Sequence, residues 1–189
     1  MIKSSDAVNA INYHRNESVV VSTSQTLKDW QLVSDQRHLD IDLVDCMDKA
    51  PSVGLGISLA SQNRKVLVLD CDSTIRTDIG CLTTVGESAP ENFVHFVFND
   101  KTFHSTEGLP VRGFDRIDIG AMALGAGYEK SYSFSNLEDL LIGMETVMQD
   151  TGPVMVVIDV EFDGYNVSYP DGVSSDSWDR VRESLKDQV

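Results

Sequence analysis

The chain has 189 residues, 15 of them basic and 30 acidic, for a formal net charge of −15. A surface of that sign repels phosphate backbones and anionic membranes, and the length suits one domain with a full hydrophobic core. Three cysteines, Cys46, Cys71 and Cys81, include no Cys-x-x-Cys pair, which argues against a disulfide framework or a thiolate metal cradle and fits a reducing cytoplasm. The opening residues lack the apolar core of a signal peptide and no stretch reaches the length of a membrane span, so a soluble, cytoplasmic protein is expected.

In chain order, residues 4–14 are expected to form a helix capped by Ser4 or Ser5, followed by an apolar run at 19–21. Residues 50–60 place Pro51 near a helix start, with Gly54 and Gly56 allowing close approach to a sheet. After the run at 66–69, Ile75, Ile79 and Leu82 fall at i, i+4 and i+7 and give the next segment one apolar face. The run at 93–98 contains His95, alternating with Val94 and Phe96 and read as a structural histidine. The segment "SNLEDLLIGMETVM" carries a capping box, Ser135 with Glu138, ahead of Leu137, Leu140, Leu141, Met144, Val147 and Met148 at helical spacing. A last apolar run fills 154–160. Beyond Phe162 the composition turns polar, and residues 163–189 read as an acidic extension: a loop, then a short helix around Trp178 to Lys186 that docks on a partner or frays. Short apolar runs alternating with helical periodicities define an α/β protein.

The strand at 66–70 ends in Asp72, Ser73 and Thr74, and the strand at 93–98 ends in Asn99 and Asp100. Either cluster alone reads as an Asx turn ending a strand. In a parallel sheet, however, ligands gather beyond the carboxyl ends of strands. Hydroxyls and N–H groups at 73–75 suit a phosphate, and oxygen ligands at 72 and 100 suit the hard divalent cation that neutralises it. Together the clusters describe a site for a metal-bridged diphosphate.

With these residues in place the chain resembles the diphosphate-binding domain of thiamine-diphosphate enzymes, most of all the β subunits of sulfopyruvate and phosphonopyruvate decarboxylases. The family's Gly-Asp-Gly and its later Asn pair are matched by Cys71-Asp72-Ser73 and Asn99-Asp100, with residues 74–98 between them. "DCMDKAPSVGLGISLA", "NDKTFHSTEGLP" and "GPVMVVIDV" also parallel family segments, so the resemblance covers roughly residues 5–162. It implies a three-layer, doubly wound sandwich around a mostly parallel sheet, with residues 1–162 as the cofactor-binding domain. It also implies Mg²⁺ ligands at Asp72, at Asp100 and at the backbone carbonyl of Thr102. Thiamine diphosphate would be held by Thr23, Ser24, Cys71, Ser73 and Thr74, with Asp45 meeting the aminopyrimidine and Met47 propping the bent cofactor.

The departures from the family pattern are Ser24, Asp45, Asp48, Cys71, Ser73 and Glu107 at positions where glycine is common, Asp78 for Asn, and Leu109 for Gln. The ylid-forming glutamate belongs to a pyrimidine-binding domain with no counterpart here, so the resemblance implies a separate α subunit as partner. The expected function is that of a β-type subunit of a 2-oxo acid decarboxylase acting on sulfopyruvate, phosphonopyruvate or a similar anionic substrate; His104 and Ser105 read either as residues that approach the substrate or as a solvated loop. The alternative is a non-catalytic scaffold or regulatory subunit that keeps the fold without cofactor chemistry. No set of iron–sulfur cysteines of the oxidoreductase relatives is present.

Overall fold

A computed structural model of the protein describes residues 1–44, 46–103, 108–162 and 176–186. The strands are Val19–Thr23 (β1), Asp40–Leu43 (β2), Val66–Cys71 (β3), Phe93–Asn99 (β4), Thr102–Phe103 (β5), Leu109–Pro110 (β6), Lys130–Phe134 (β7) and Val154–Asp159 (β8). The helices are Ser4–His14 (α1), Ser24–Val33 (α2), Ala50–Ala60 (α3), Asp72–Thr77 (α4), Gly80–Ser88 (α5), Ile119–Gly125 (α6), Leu137–Gln149 (α7) and Asp176–Lys186 (α8), with short 3₁₀ turns at Arg37–Leu39 and Met47–Lys49. Six strands form one sheet in the order β2-β1-β3-β4-β8-β7, and every pairing in it is parallel. β5 and β6 make a separate antiparallel pair.

The four apolar runs are the sheet's inner strands, and alternate side chains divide between two cores. Val20, Leu67, Leu69, Val94 and Phe96 meet α1, α2 and α7 through Ala7, Ile11, Trp30, Leu140 and Met144. Val19, Val21, Val66, Val68 and Phe93 meet α3, α5, α6 and α8 through Leu55, Leu82, Val85, Ala123 and Val181. The result is the expected three-layer, doubly wound sandwich. Each such fully buried aliphatic side chain contributes about 1.5–3 kcal/mol to folding. Gly54 lets α3 approach, since a Cβ there would lie 2.4 Å from Val68, whereas one on Gly56 would meet nothing within 4 Å.

Several local expectations are corrected. α1 is preceded by Lys3 with no side-chain cap, so neither Ser4 nor Ser5 caps it; the Ser4 hydroxyl instead bonds Asp29 on α2. The cap of α7 is Asn136, whose Oδ1 accepts from the Asp139 N–H at 3.0 Å, one residue past Ser135. Ile75, Ile79 and Leu82 do not share one face, because the helix breaks at Asp78; Ile75 and Leu82 are buried while Ile79 is 45 % exposed. The polar strands β2 and β7 were not anticipated.

Helix α8 lies against β2 and the Arg37–Leu39 turn of its own chain. The Ser177 hydroxyl accepts from the Asp42 N–H at 3.4 Å, the Ser184 hydroxyl donates to the His38 carbonyl at 3.1 Å, and Val181 is buried. No helix among the described residues is long and apolar enough to cross a membrane.

Candidate functional site

The connection after β1 runs to β2 on one side and the connection after β3 runs to β4 on the other, so a crevice opens between β1 and β3 at their carboxyl ends. The β1–α2 turn, the start of α4 and the end of β4 converge there. The first turn is fixed from below: the Thr26 hydroxyl donates to the Leu69 carbonyl at 2.8 Å. The Thr23 hydroxyl lies 3.2 Å from the Leu43 carbonyl and 3.3 Å from that of Met47, so it braces the Met47 turn. Ser24 follows with φ 53°, in the left-handed region where glycine is at ease. Cys71 is extended, at φ −116°, and Ser73 and Asp48 are not among the positive-φ residues. Of the described positions where glycine is replaced, Ser24 therefore carries the backbone strain.

Asp72 opens α4 and is completely buried, yet neither carboxylate oxygen has a hydrogen-bond partner among the described residues. Arg76, one turn on, brings its Nε to 3.7 Å. Burial first, and the nearby Asp100 charge second, push the Asp72 carboxyl up to about 7, against the pull of Arg76. Asp100 forms the Asx turn expected of it, its Oδ1 accepting from the Thr102 N–H at 2.8 Å and the Thr102 hydroxyl at 2.9 Å. A buried, unsatisfied carboxylate is costly unless something cationic meets it. Two carboxylates with oxygen-rich surroundings suit a hard divalent ion such as Mg²⁺. Among the described residues no group of three His, Cys, Asp or Glu side chains gathers as a metal cluster, so an ion held by Asp72 and Asp100 would need a carbonyl and water to complete its shell.

The Cys71 sulfur accepts from the Thr74 N–H and faces the Thr26 N–H and the Ser24 side chain, which ties the β1–α2 turn to α4. Burial, then Asp70, pushes its thiol up to about 12, so it stays protonated and offers no thiolate to softer metals. The Thr74 hydroxyl turns inward to Asp70 and to the Cys71 carbonyl, the latter at 2.8 Å. Ser73 is 9 % exposed. Lys49 ties the Met47–Lys49 turn to Asp78, just past α4, at 2.7 Å. Beside Asp100 a cleft of about 470 Å³ opens at the ends of β4, β7 and β8, lined by Asn99, Lys101, Phe114, Ile117 and Tyr132 among others.

Asp45, His104, Ser105 and Glu107 lie outside the described residues. Thr23, Ser24, Met47, Cys71, Asp72, Ser73, Thr74, Asp100 and Thr102 are all in the elements and turns that border the crevice. Sequence reasoning missed Arg76, although its i, i+4 spacing from Asp72 on a helix was a readable signal. It read His95 as a structural histidine, which full burial bears out, but missed its partners Asp70 and Tyr128 beneath the loop.

Fold and crevice together define an open α/β domain with an acidic crevice at the sheet's switch point. A family model for the C-terminal TPP-binding domain of thiamine pyrophosphate enzymes matches residues 21–158, and the chain belongs to that family. It is 32 % identical over 142 residues to a phosphonopyruvate decarboxylase of Streptomyces viridochromogenes, a match covering 75 % of this chain and 35 % of the relative. It is 37 % identical over 86 residues to a sulfopyruvate decarboxylase subunit beta of Methanothermobacter thermautotrophicus, covering 46 % and 45 % of the two chains. A thiamine diphosphate-dependent 4-hydroxybenzoylformate decarboxylase of Rhodococcus jostii RHA1 shares the fold with TM-score 0.71 at 18 % identity, over 85 % of this chain and 33 % of that one. The chain thus spans about a third of the Streptomyces relative.

Proposed function

We propose that the chain is the diphosphate-binding half of a thiamine-diphosphate- and Mg²⁺-dependent decarboxylase of 2-oxo acids with an anionic tail, such as sulfopyruvate or phosphonopyruvate. The observation that carries this reading is Asp72: a fully buried carboxylate at the crevice beside Asp100, with neither oxygen hydrogen-bonded among the described residues. In it, Asp72, Asp100 and the Thr102 carbonyl hold Mg²⁺, which removes the repulsion between the two carboxylates and offsets the charge of the diphosphate. Ser24, Ser73 and the backbone of Thr74 face the phosphates, while Thr23, its hydroxyl turned to the Met47 carbonyl, sets the turn on which the pyrimidine end rests. When bound, thiamine diphosphate supplies the carbanion chemistry that releases CO₂. Lys101 brings a cation to the adjoining cleft, where the substrate's anionic tail is drawn. The activating glutamate comes from a pyrimidine-binding α subunit; the relatives named subunit beta support that division.

Titration calorimetry of the assembled complex tests the reading. Asp72→Asn is expected to abolish Mg²⁺-dependent binding of thiamine diphosphate, and Asp100→Asn, which keeps an oxygen donor, to retain it. Unchanged affinity in Asp72→Asn would overturn the site and favour a scaffold subunit. That second reading draws on Cys71, whose side chain lodges between Ser24, Thr26 and Thr74. Strong decarboxylation by this chain alone would overturn the split between subunits.

A further inference from the structure

We propose that His95 is a positioning residue for Asp72, acting through Asp70 and backed by Tyr128. The inference rests on Asp72 being a cation ligand, as proposed above. Asp72 receives no hydrogen bond among the described residues, so the direction of its carboxylate is set by the backbone around it. That backbone is clamped on both sides by Asp70. One carboxylate oxygen, Oδ1, accepts from the Cys71 N–H at 2.8 Å and from the Thr74 hydroxyl. The residues before and after the Asp72–Ser73 step are therefore held by a single buried carboxylate.

Asp70 is oriented in turn. His95 Nε2 lies 3.4 Å from its other oxygen, Oδ2, and His95 Nδ1 lies 3.1 Å from the Tyr128 hydroxyl. A carboxylate only accepts, so Nε2 carries the shared proton and the tyrosine donates to Nδ1. Asp70 and His95 are fully buried and Tyr128 is 4 % exposed. Phe93 packs edge-on against both rings, its centroid 6.0 Å from that of His95 and 6.5 Å from that of Tyr128. Water is excluded from such a network, and low polarity strengthens each of its bonds.

The placement gives His95 a purpose beyond filling the core. It sits on β4 opposite Val68 of β3, on the strand whose carboxyl end leads to Asp100. Through His95, the turn bearing Asp72 is braced against the strand that delivers its partner ligand. Outer partners that orient a metal ligand are worth 10- to 100-fold in affinity.

The test uses the full chain and Mn²⁺ alone, an ion that shares the preference of Mg²⁺ for oxygen donors, with bound metal read by electron paramagnetic resonance and the fold by thermal melting. Asp72→Asn is expected to lose binding. His95→Phe should weaken binding by about 10-fold, Tyr128→Phe by about 2- to 3-fold, and His95→Gln, whose amide can donate to Asp70, should recover affinity to within about 3-fold of wild type. Asn136→Ala, which removes the distant α7 cap, should lower the melting temperature and leave affinity unchanged. If Asp72→Asn loses the ion while His95→Phe binds it like wild type, the positioning role is overturned and the metal site stands. If Asp72→Asn binds unchanged, the metal site fails and takes this inference with it. Should His95→Phe not fold, Tyr128→Phe decides, and wild-type affinity there overturns the proposal.

Discussion

Two sets of buried carboxylates, one on β2 and one just beyond β3, lie on either side of β1, and they are treated differently. On β2, Asp40 and Asp42 are 0 % and 4 % exposed. Arg15, itself 1 % exposed, comes within 2.9 Å of Asp40, and Arg37 reaches Asp40 at 3.1 Å and Asp42 at 2.5 Å. Arg15 also lies over the Trp30 ring at 5.1 Å, so the cation is packed as well as paired. Beyond β3, Asp72 is equally buried, yet among the described residues its charged neighbours are the Nε of Arg76 at 3.7 Å and the like charge of Asp100. The fold thus packs arginines against the structural carboxylates of β2 and leaves Asp72 without a hydrogen-bonded cation among the described residues, as the metal site proposed above requires.

The largest effect that would break this contrast is expected at Arg15. Arg15→Met should destabilise the protein by about 3–5 kcal/mol in urea titrations, since it strips a partner from a buried carboxylate. A neutral outcome would mean the β2 cluster is not held by its cations. Next comes Asp72→Asn in metal-free protein. With the folded carboxyl near 7 against an ordinary 3.8, the native state binds the extra proton between those values. Metal-free stability is therefore present at low pH and is lost as pH rises from about 4 to about 7. The asparagine variant should consequently gain about 2–4 kcal/mol at pH 8 and almost nothing at pH 4, with urea midpoints across that range as the measure. A smaller shift sharpens the contrast by separating its two causes: Asp100→Asn should move the Asp72 midpoint, followed by carboxyl ¹³C NMR, down from about 7 yet leave it above 3.8, because burial is the larger cause. The accompanying gain in metal-free stability is about 1–2 kcal/mol. The smallest effect concerns strain at the same end of the sheet. Ser24→Gly should add about 0.5 kcal/mol by thermal melting, relief of the left-handed backbone being offset by a freer unfolded chain and the lost serine contact.

The sequence made the inner strands plain because parallel strands covered on both faces become unbroken apolar runs. β2 and β7 stayed hidden for opposite reasons. Asp40 and Asp42 give β2 a surface-like pattern, and their burial is made tolerable by Arg15 from α1, Gln31 and Ser34 at the end of α2, and Arg37 in the preceding turn. "KSYSF" on β7 is an edge strand with little to bury. Asp72 and Asp100 were legible as strand-end carboxylates, and the family resemblance supplied the ligand proposed for them. The inward turn of the Thr74 hydroxyl, the left-handed Ser24 and the Asp70–His95–Tyr128 set were not, since each depends on long-range packing that local periodicity does not encode. The shift from Ser135 to Asn136 as the cap has a simpler cause: adjacent capping residues compete, and the backbone of α7 begins one position later.

The clasp between α8 and β2 also bears on how the chain reaches this structure. Its hydrogen bonds join residues 135, 143 and 146 positions apart, so during vectorial synthesis β2 must wait for nearly the whole described chain before that flank is sealed. Until then Ile41 and Ile57, which α8 covers with Trp178, Val181 and Leu185, face the solvent beside an edge strand, the arrangement in which nascent chains associate with one another. Contacts of such separation form late in assembly, and a chaperone that shields one nascent segment of this protein would act to best effect on residues 40–57.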